Sequence, residues 1–262
     1  MSTDLAPLLW LLKLGALANL YFFTGAWPRS ANPADPHIVV PALILFAVSG
    51  YRCLFPNRYK DNIVLHPTVL SSTLVTRFLA TFAEVAWIYQ FSHLVRLLNV
   101  AGVGWVDALS WLMVIQVIAS QACVWGAILL ERPRLYVWEE VGWAAIFLAN
   151  TVTSAFLYLT ADPTGSAVTL LLSNLAFGAV YLPWQLFHLR GLAADARAHP
   201  ATPADVTWTR LASSLERSLR ARNVATDAAS WGGVIGITWM TAYWAAVIPV
   251  WVYLVVRLAP TP

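Results

Sequence analysis

Seven long apolar segments constrain this chain more than any other feature of its sequence. They cover residues 7–27, 37–55, 74–98, 106–130, 138–160, 166–189 and 231–257. A helix needs about 20 apolar residues to cross a bilayer, and several of these segments reach that length. The sequence therefore predicts an all-α, polytopic membrane helix bundle with about seven transmembrane helices.

The amino-acid composition excludes the main alternatives to a membrane protein. Only 11% of the 262 residues are charged and 59% are apolar, whereas a soluble domain carries about 25% charged residues. Disorder is excluded as well, because it requires low hydrophobicity. We find no internal repeat, and Asp4 before the first segment argues against a cleavable signal peptide. The expectation is a single integral membrane domain over residues 1–262.

The distribution of Lys and Arg predicts the orientation of the bundle. Eleven of the sixteen basic residues lie in the second, fourth and sixth loops, and only three lie in the loops and terminus on the other side. Basic loops are typically cytoplasmic. We therefore predict a multi-pass protein of the cell (inner) membrane with a cytoplasmic N-terminus and an exoplasmic C-terminus. A net charge of +3 then needs no nucleic-acid partner, and membrane lipid is the expected one.

The sixth loop, about residues 190–230, contains a predicted amphipathic helix. Thr202, Pro203 and Asp205 are typical of a helix start. An apolar face and a set of arginines follow, formed by Trp208, Leu211, Leu215 and Leu219 and by Arg210, Arg217, Arg220 and Arg222. The pattern favours an interfacial helix that rests on anionic lipid, with docking to a partner protein as the alternative.

Ionisable groups inside the apolar segments are costly and are therefore candidates for function. In the third segment Arg77, Thr81 and Glu84 share one helix face, with Glu84 near the middle of the bilayer. An unpaired buried carboxylate would be a proton donor, whereas a nearby arginine would keep it charged. The alternative role of these residues is a polar clasp between helices.

The fifth and sixth segments carry the other candidate residues. Glu139 and Glu140 begin the fifth segment, where they also complement the helix dipole, and Trp143 and Asn150 share a face with Glu139. Asn150 lies deep enough to favour a hydrogen bond inside the bundle.

In the sixth segment Tyr181, Gln185 and His188 form one stripe near Pro183. A lone histidine at a helix end is more often an interfacial residue than a base. In the seventh segment Gly232 and Gly236 form a Gly-x-x-x-Gly pattern, which predicts a helix-packing face.

Seven of these polar residues fall in the same half of the predicted bilayer, between its middle and the cytoplasmic surface. They are Arg77, Glu84, Glu139, Glu140, Tyr181, Gln185 and His188. Because they come from three helices and share one depth range, we predict that they surround a common cavity.

The sequence lacks the motifs that several kinds of chemistry require. The five histidines form no His-x-x-His or His-x-x-x-His pair, so the usual spacing of a membrane di-iron or zinc site is absent. No glycine-rich phosphate loop precedes any helix, and the seventh segment contains no lysine for a retinal Schiff base. We therefore predict neither a metal nor a cofactor.

The stretch Glu139-Glu140-Val141-Gly142-Trp143 resembles the Glu-Glu-x-x-aromatic helix start of small integral-membrane lycopene cyclases, although it lacks the proline that usually precedes the acids. A broader similarity is to small sterol-isomerising membrane proteins, in which Glu, His, Asn and Trp line an intramembrane pocket. Either resemblance implies metal-free protonation of an isoprenoid alkene. Glu140 or Glu84 would then be the acid, and Trp or Asn would stabilise the cation.

Three hypotheses follow. The first is an enzyme that acts on a lipophilic, isoprenoid-like small molecule by proton transfer. Its candidate catalytic residues are Glu84, Glu139, Glu140 and His188, and its candidate substrate contacts are Arg77, Trp87, Trp143, Asn150, Tyr181 and Gln185. The second is a proton-coupled transporter that uses Glu84 and Arg77, which the absence of an inverted repeat weakens. The third is a non-catalytic sensor or scaffold whose active surface is the arginine-rich sixth loop.

Overall fold

The structure is a computed structural model that describes residues 3–30, 35–198 and 206–260. It confirms an all-α helix bundle. In chain order its helices are α1 (Ala6–Ala26), α2 (Pro36–Leu54), α3 (Thr73–Leu98), α4 (Gly104–Leu130), α5 (Arg134–Thr160), α6 (Ser166–Ala198), α7 (Trp208–Arg220), α8 (Gly233–Thr238) and α9 (Val247–Leu258). A π-helical turn, Trp239–Ala245, joins α8 to α9.

Six helical segments among the described residues are long and apolar enough to cross a membrane, so the protein is membrane-embedded. They are α1, α2, α4, α5, α6 and the continuous segment Gly233–Leu258. The third predicted span, α3, is not one of them, although its 26 residues match the length of its neighbours. More than half of the residues of α3 are buried inside the bundle, including Arg77 and Glu84. That α3 is a seventh span stays a prediction.

The bundle is closed by its C-terminal segment. Each of α1 to α5 packs against the next helix in the chain, as the short connections dictate, and α3 also contacts α5. The π-helical turn and α9 contact α1 and α2, and α9 contacts α6. Large aromatic side chains fill the centre, where Trp87 stacks on Trp143 at 5.7 Å between ring centroids. Phe91 packs against Trp251 at 4.1 Å.

A small sheet ties together the loops at one end of the bundle, which the sequence analysis did not predict. Its strands are β1 (Asn57–Arg58), β2 (Ile63–Val64) and β3 (Asn223–Val224), with β1 antiparallel and β3 parallel to β2. The backbone N–H of Leu5 donates to the Thr226 carbonyl at 2.7 Å. The second loop, the end of the sixth loop and the start of α1 therefore form one cap. We call this end of the bundle the α7 face and the other end the opposite face.

Helix α7 confirms the predicted amphipathic helix. Its side chains Ser214 and Ser218 are buried, and it packs against α3 and α4. Trp208 is 87% exposed and Leu215 is 39% exposed, so its apolar side is free to contact lipid. The predicted start at residues 202–205 lies outside the described residues. Within the described part the helix begins at Trp208, because the Thr207 side chain accepts from the Arg210 N–H at 3.2 Å.

The predicted Gly-x-x-x-Gly packing face is wrong. Gly232 precedes α8 and has a φ of 83°, a left-handed conformation that glycine adopts without strain. A Cβ at Gly236 would lie 1.7 Å from the Trp231 carbonyl oxygen, so this glycine permits a tight approach to its own preceding turn. The two glycines shape the start of the last membrane segment rather than a contact between two helices.

Candidate functional site

A cavity of about 420 Å³ extends from the α7 face into the bundle. We call it the polar cavity, because nine ionisable side chains line it apart from its tyrosines. They are Arg52, Arg58, Lys60, Arg77, Glu84, Glu139, Glu140, His188 and Asp195. The α2–α3 loop and helices α2, α3, α5 and α6 supply these side chains. The last membrane segment forms an aromatic wall.

Five of the seven polar residues predicted to surround a common cavity line this one. They are Arg77, Glu84, Glu139, Glu140 and His188. Gln185 is fully buried directly behind Glu140. Tyr181 lines a neighbouring cavity instead. That these residues form one functional site stays a prediction.

Arg77 and Glu84, both on α3, form a buried ion pair that Gln121 links to α4. The guanidinium donates to both carboxylate oxygens, at 2.6 and 3.3 Å. Gln121 of α4 donates to Glu84 Oε2 at 2.9 Å and accepts from Arg77. This geometry is that of the interhelical clasp, because Gln121 of α4 forms hydrogen bonds with both members of the α3 pair.

Glu140 and His188 form a second pair, between α5 and α6. His188 Nε2 lies 3.3 Å from Glu140 Oε1. Gln185 donates to Glu140 Oε2 at 2.7 Å and to the Glu140 carbonyl at 2.8 Å. The His188 ring stacks on Trp184 at 5.2 Å between centroids. The carboxyl and imidazole groups can therefore exchange a proton while both face the polar cavity.

Glu139 lies next to Glu140 on the wall of the same cavity and is only 7% exposed. Its backbone carbonyl accepts from Ser120 of α4 at 3.3 Å, which fixes this turn of α5 against α4. Trp143, one turn further along α5, also lines the polar cavity. Two carboxyl groups on adjacent residues thus face one space.

A second cavity, of about 670 Å³, adjoins the polar cavity and is lined almost entirely by apolar groups. We call it the apolar cavity. Its aromatic lining residues are Trp87, Phe177, Tyr181, Trp184, Trp239, Tyr243 and Trp251. Trp239 and Tyr243 line both cavities, so the π-helical turn that carries them is the shared wall.

The π-helical turn is held in place by α1 and α2. The helix is interrupted after this turn at Ala246, which has the non-helical angles φ −134° and ψ −81°. The Trp244 carbonyl accepts from Asn19 Nδ2 at 2.9 Å and from Cys53 Sγ at 3.4 Å. These donors satisfy a carbonyl that a regular helix would have paired internally. Short π-helical insertions are frequent at functional sites, since they re-aim side chains on a long helix.

Five of the six predicted substrate contacts lie at or directly behind the two cavities. Arg77 and Trp143 line the polar cavity, and Trp87 and Tyr181 line the apolar cavity. Gln185 supports Glu140 from behind.

Asn150 lies apart from this site and lines neither cavity. Its Oδ1 accepts from Asn174 at 3.4 Å, so it joins α5 to α6. This placement agrees with the hydrogen-bonding role that its depth favoured.

Sequence reasoning missed Arg52, Tyr59, Trp239 and Tyr243. Arg52 counted only as a loop charge that sets orientation, although it is 4% exposed in the last turn of α2. Nothing in the local sequence around Tyr59 marks it. The i, i+4 spacing of Trp239 and Tyr243 could have found that pair, since it places both rings on one helix face.

No group of three His, Cys, Asp or Glu side chains in the described part of the chain is arranged to hold a metal ion. Comparisons of the sequence with protein-family models and with curated proteins, and of the fold with solved structures, find no match. The site's own geometry therefore carries the functional argument.

Proposed function

We propose that this protein is a membrane-embedded enzyme that isomerises or cyclises a lipophilic, isoprenoid-like substrate by proton transfer. The observation that carries the proposal is the position of the Glu140–His188 pair. It faces the polar cavity, and the His188 ring lies 6.3 Å from Trp239, which is part of the wall shared with the apolar cavity. A proton donor thus lies at the junction of a polar and an aromatic-lined space.

The chemistry needs only groups that the chain supplies. The acid gives its proton to one carbon of an alkene, which forms a C–H bond and leaves a cation on the adjacent carbon. The cation, or the ring formed from it, then loses a proton to a carboxylate of the same site, so the product is an isomer of the substrate. Glu140 and Glu139 are the two glutamates of the polar cavity that are free of the Arg77 clasp.

The aromatic rings of the apolar cavity would stabilise the cation. Ring faces attract a positive charge, with Trp the strongest of the side chains. Tyr181 lies 5.3 Å from Phe177 between ring centroids, and Trp239 lies 4.9 Å from Tyr243, so neighbouring rings of the lining contact one another. A site poor in water also protects a carbocation from hydrolysis. The resemblance to lycopene cyclases and sterol isomerases proposes the same division of roles.

Glu84 is less suited to be the acid than Glu140. Its carboxylate is occupied by Arg77 and Gln121, and separating it from Arg77 would leave a buried charge unpaired. The transporter hypothesis uses this same ion pair. We therefore assign Glu84 and Arg77 to the architecture of the site and Glu140 with His188 to the reaction.

The test uses the purified full chain in nanodiscs with a panel of linear isoprenoid alcohols and hydrocarbons. We expect a product of unchanged mass from at least one substrate. Glu140→Gln should lower its rate about 100-fold or more, because general acid catalysis contributes about 10²- to 10⁴-fold. Glu216→Gln is the matched control, since Glu216 is an exposed acid of α7 that pairs with Arg220. Equal rates in the Glu140→Gln variant and the wild type would contradict the proposal.

A further inference from the structure

Arg52 is a buried cation with no carboxylate partner among the described residues. Only 4% of this residue is exposed, in the last turn of α2. Its guanidinium donates to the side-chain and backbone oxygens of Asn57, the latter at 3.2 Å, and both oxygens are neutral. A buried charge without a counter-ion is costly, so an arginine placed in this way usually serves a negatively charged group.

Aromatic rings surround Arg52 but leave hydrogen-bonding groups unused. The guanidinium carbon lies 5.0 Å from the Tyr59 ring centroid and 5.1 Å from that of Trp244. The guanidinium carbon of Arg77 also lies near this ring, at 5.4 Å from the Tyr59 centroid. Ring faces attract a cation but accept no strong hydrogen bond.

Four buried polar atoms around this point have no hydrogen-bond partner within the described ranges. They are Arg52 Nε, Arg77 Nε, the Tyr59 hydroxyl and the Tyr243 hydroxyl. All four residues line the polar cavity. Buried donors are almost always paired in folded proteins, so a cluster of unpaired donors on one cavity wall indicates a missing acceptor.

Arg58 adds a second cation, and among the described residues the acceptor of its hydrogen bond is a neutral group. It lines the polar cavity and donates to the Ser230 carbonyl at 2.8 Å. A Cβ at Gly232 would lie 3.2 Å from Arg58 Nε, so the glycine lets the guanidinium approach the backbone. Lys60, the third cation here, is paired with Asp195 at 2.8 Å. The end of the cavity near the α7 face therefore carries an excess of positive charge.

We infer that this end of the polar cavity binds the anionic headgroup of an amphiphile whose hydrocarbon chain occupies the apolar cavity. The inference rests on the proposed function for the isoprenoid character of the chain, and it adds the chemistry of the headgroup. Arg52 and Arg58 supply the charge, and the Tyr59 hydroxyl supplies a hydrogen bond. The chain passes the wall formed by Trp239 and Tyr243, which brings its alkene close to Glu140.

The test measures binding to the full chain in zwitterionic nanodiscs by tryptophan fluorescence, with four probes. Farnesyl phosphate and farnesoic acid carry a phosphate and a carboxylate on the same chain, farnesol is neutral, and inorganic phosphate lacks the chain. We expect at least one of the two anionic probes to bind 10-fold or more tightly than farnesol, and the stronger of them identifies the headgroup. Inorganic phosphate should bind more weakly than that probe.

Two variants assign the binding to this site. Arg52→Gln should weaken binding of the anionic probe about 10-fold and leave the affinity for farnesol unchanged. Arg132→Gln, the same change at an exposed arginine of the α4–α5 loop, should leave both unchanged. Tyr59→Phe removes only a hydroxyl and should weaken the anionic probe several-fold even if Arg52→Gln fails to fold.

Equal affinity of the wild type for farnesol and both anionic probes would overturn the inference. So would an unchanged affinity in both Arg52→Gln and Tyr59→Phe. Glu140→Gln separates this result from the proposed function, because it should abolish turnover and retain binding of the anionic probe. If the wild type binds the anionic probe but turns over no substrate, the proposed enzymatic function is contradicted and the headgroup site is not. If the wild type turns over neutral substrates only, the headgroup site is contradicted and the enzymatic function is not.

Discussion

The two ends of the bundle use similar polar residues in opposite ways. At the opposite face His93 Nε2 lies 2.5 Å from Asp35 Oδ2, and Asn99 donates to Asp107 at 2.8 Å. Neither of these pairs borders the polar or the apolar cavity. Each group of these two pairs is used by its neighbour, and the two pairs form closed connections at this face.

At the α7 face the polar groups instead surround open space. Arg52, Tyr59 and Tyr243 line the polar cavity with buried atoms that have no partner in the part of the chain described. Glu140 shares that space with His188. Residue type alone therefore does not mark a functional group in this membrane protein. What marks it is hydrogen-bonding capacity that the fold leaves unused beside a cavity.

Two arginines near the two ends of α3, Arg77 and Arg96, provide the largest expected difference between the faces. Arg77→Met leaves the buried carboxylate of Glu84 without its partner and should lower the free energy of unfolding by about 3–5 kcal/mol. Arg96→Met should cost about 1–2 kcal/mol, because Arg96 donates to the hydroxyls of Ser92 and Ser110 and loses no ion pair. Unfolding of both variants by titration with SDS in mixed micelles checks this order. A larger loss of stability for Arg96→Met than for Arg77→Met would contradict this difference between the two faces.

Two glycines of the α4–α5 region test packing near the two faces. A Cβ at Gly142 would lie 2.2 Å from Ser120 Oγ, and Gly142→Ala should therefore cost about 1–3 kcal/mol. Gly104→Ala is the control at the opposite face, since no atom lies within 4 Å of its Cβ position. Its stability should stay within about 1 kcal/mol of the wild type, because alanine is the better helix former. Thermal melting of both variants in the same detergent measures the difference, and equal melting temperatures would contradict it.

The smallest expected effect is the pH dependence of the cap at the α7 face. Partial burial and the nearby Lys13 ammonium lower the pKa of His66, which lies in the loop between α2 and α3. The folded state therefore binds this proton less readily than the unfolded state, and stability is lost as pH falls below the ordinary histidine pKa of about 6.5. His66→Gln should reduce the loss of melting temperature between pH 7 and pH 5. If the melting temperature of the variant falls more steeply between pH 7 and pH 5 than that of the wild type, the direction of the His66 pKa shift is contradicted.

The sequence predicted much of the fold because hydrophobic length decides where membrane helices lie. The predicted segment 37–55 became Pro36–Leu54, and 106–130 became Gly104–Leu130. The sixth segment was too short, since α6 continues to Ala198 beyond the apolar run. The β1–β2–β3 sheet was missed because two-residue strands have no period to detect.

The candidate site could be predicted only where a single segment reveals an ionisable side chain that is costly to bury. A glutamate or histidine in an apolar run is conspicuous, so Glu84, Glu140 and His188 were found. Arg52 was missed because its burial depends on Tyr59 and Trp244, which are distant in the sequence or lie in another element. The π-helical turn was missed because a distant residue supports it. Asn19, 225 positions earlier in the sequence, donates a hydrogen bond to the Trp244 carbonyl.

Proton transfer from the Glu140–His188 pair is tested most directly by the deuterium content of the product formed in D₂O. The Glu140–His188 pair exchanges its protons with solvent through the polar cavity, so the wild type should place one deuterium from solvent in each product molecule. Glu140→Gln should yield almost no labelled product, and Glu216→Gln should match the wild type. Product without deuterium, or equal labelling in the Glu140→Gln variant, would contradict proton transfer from this site.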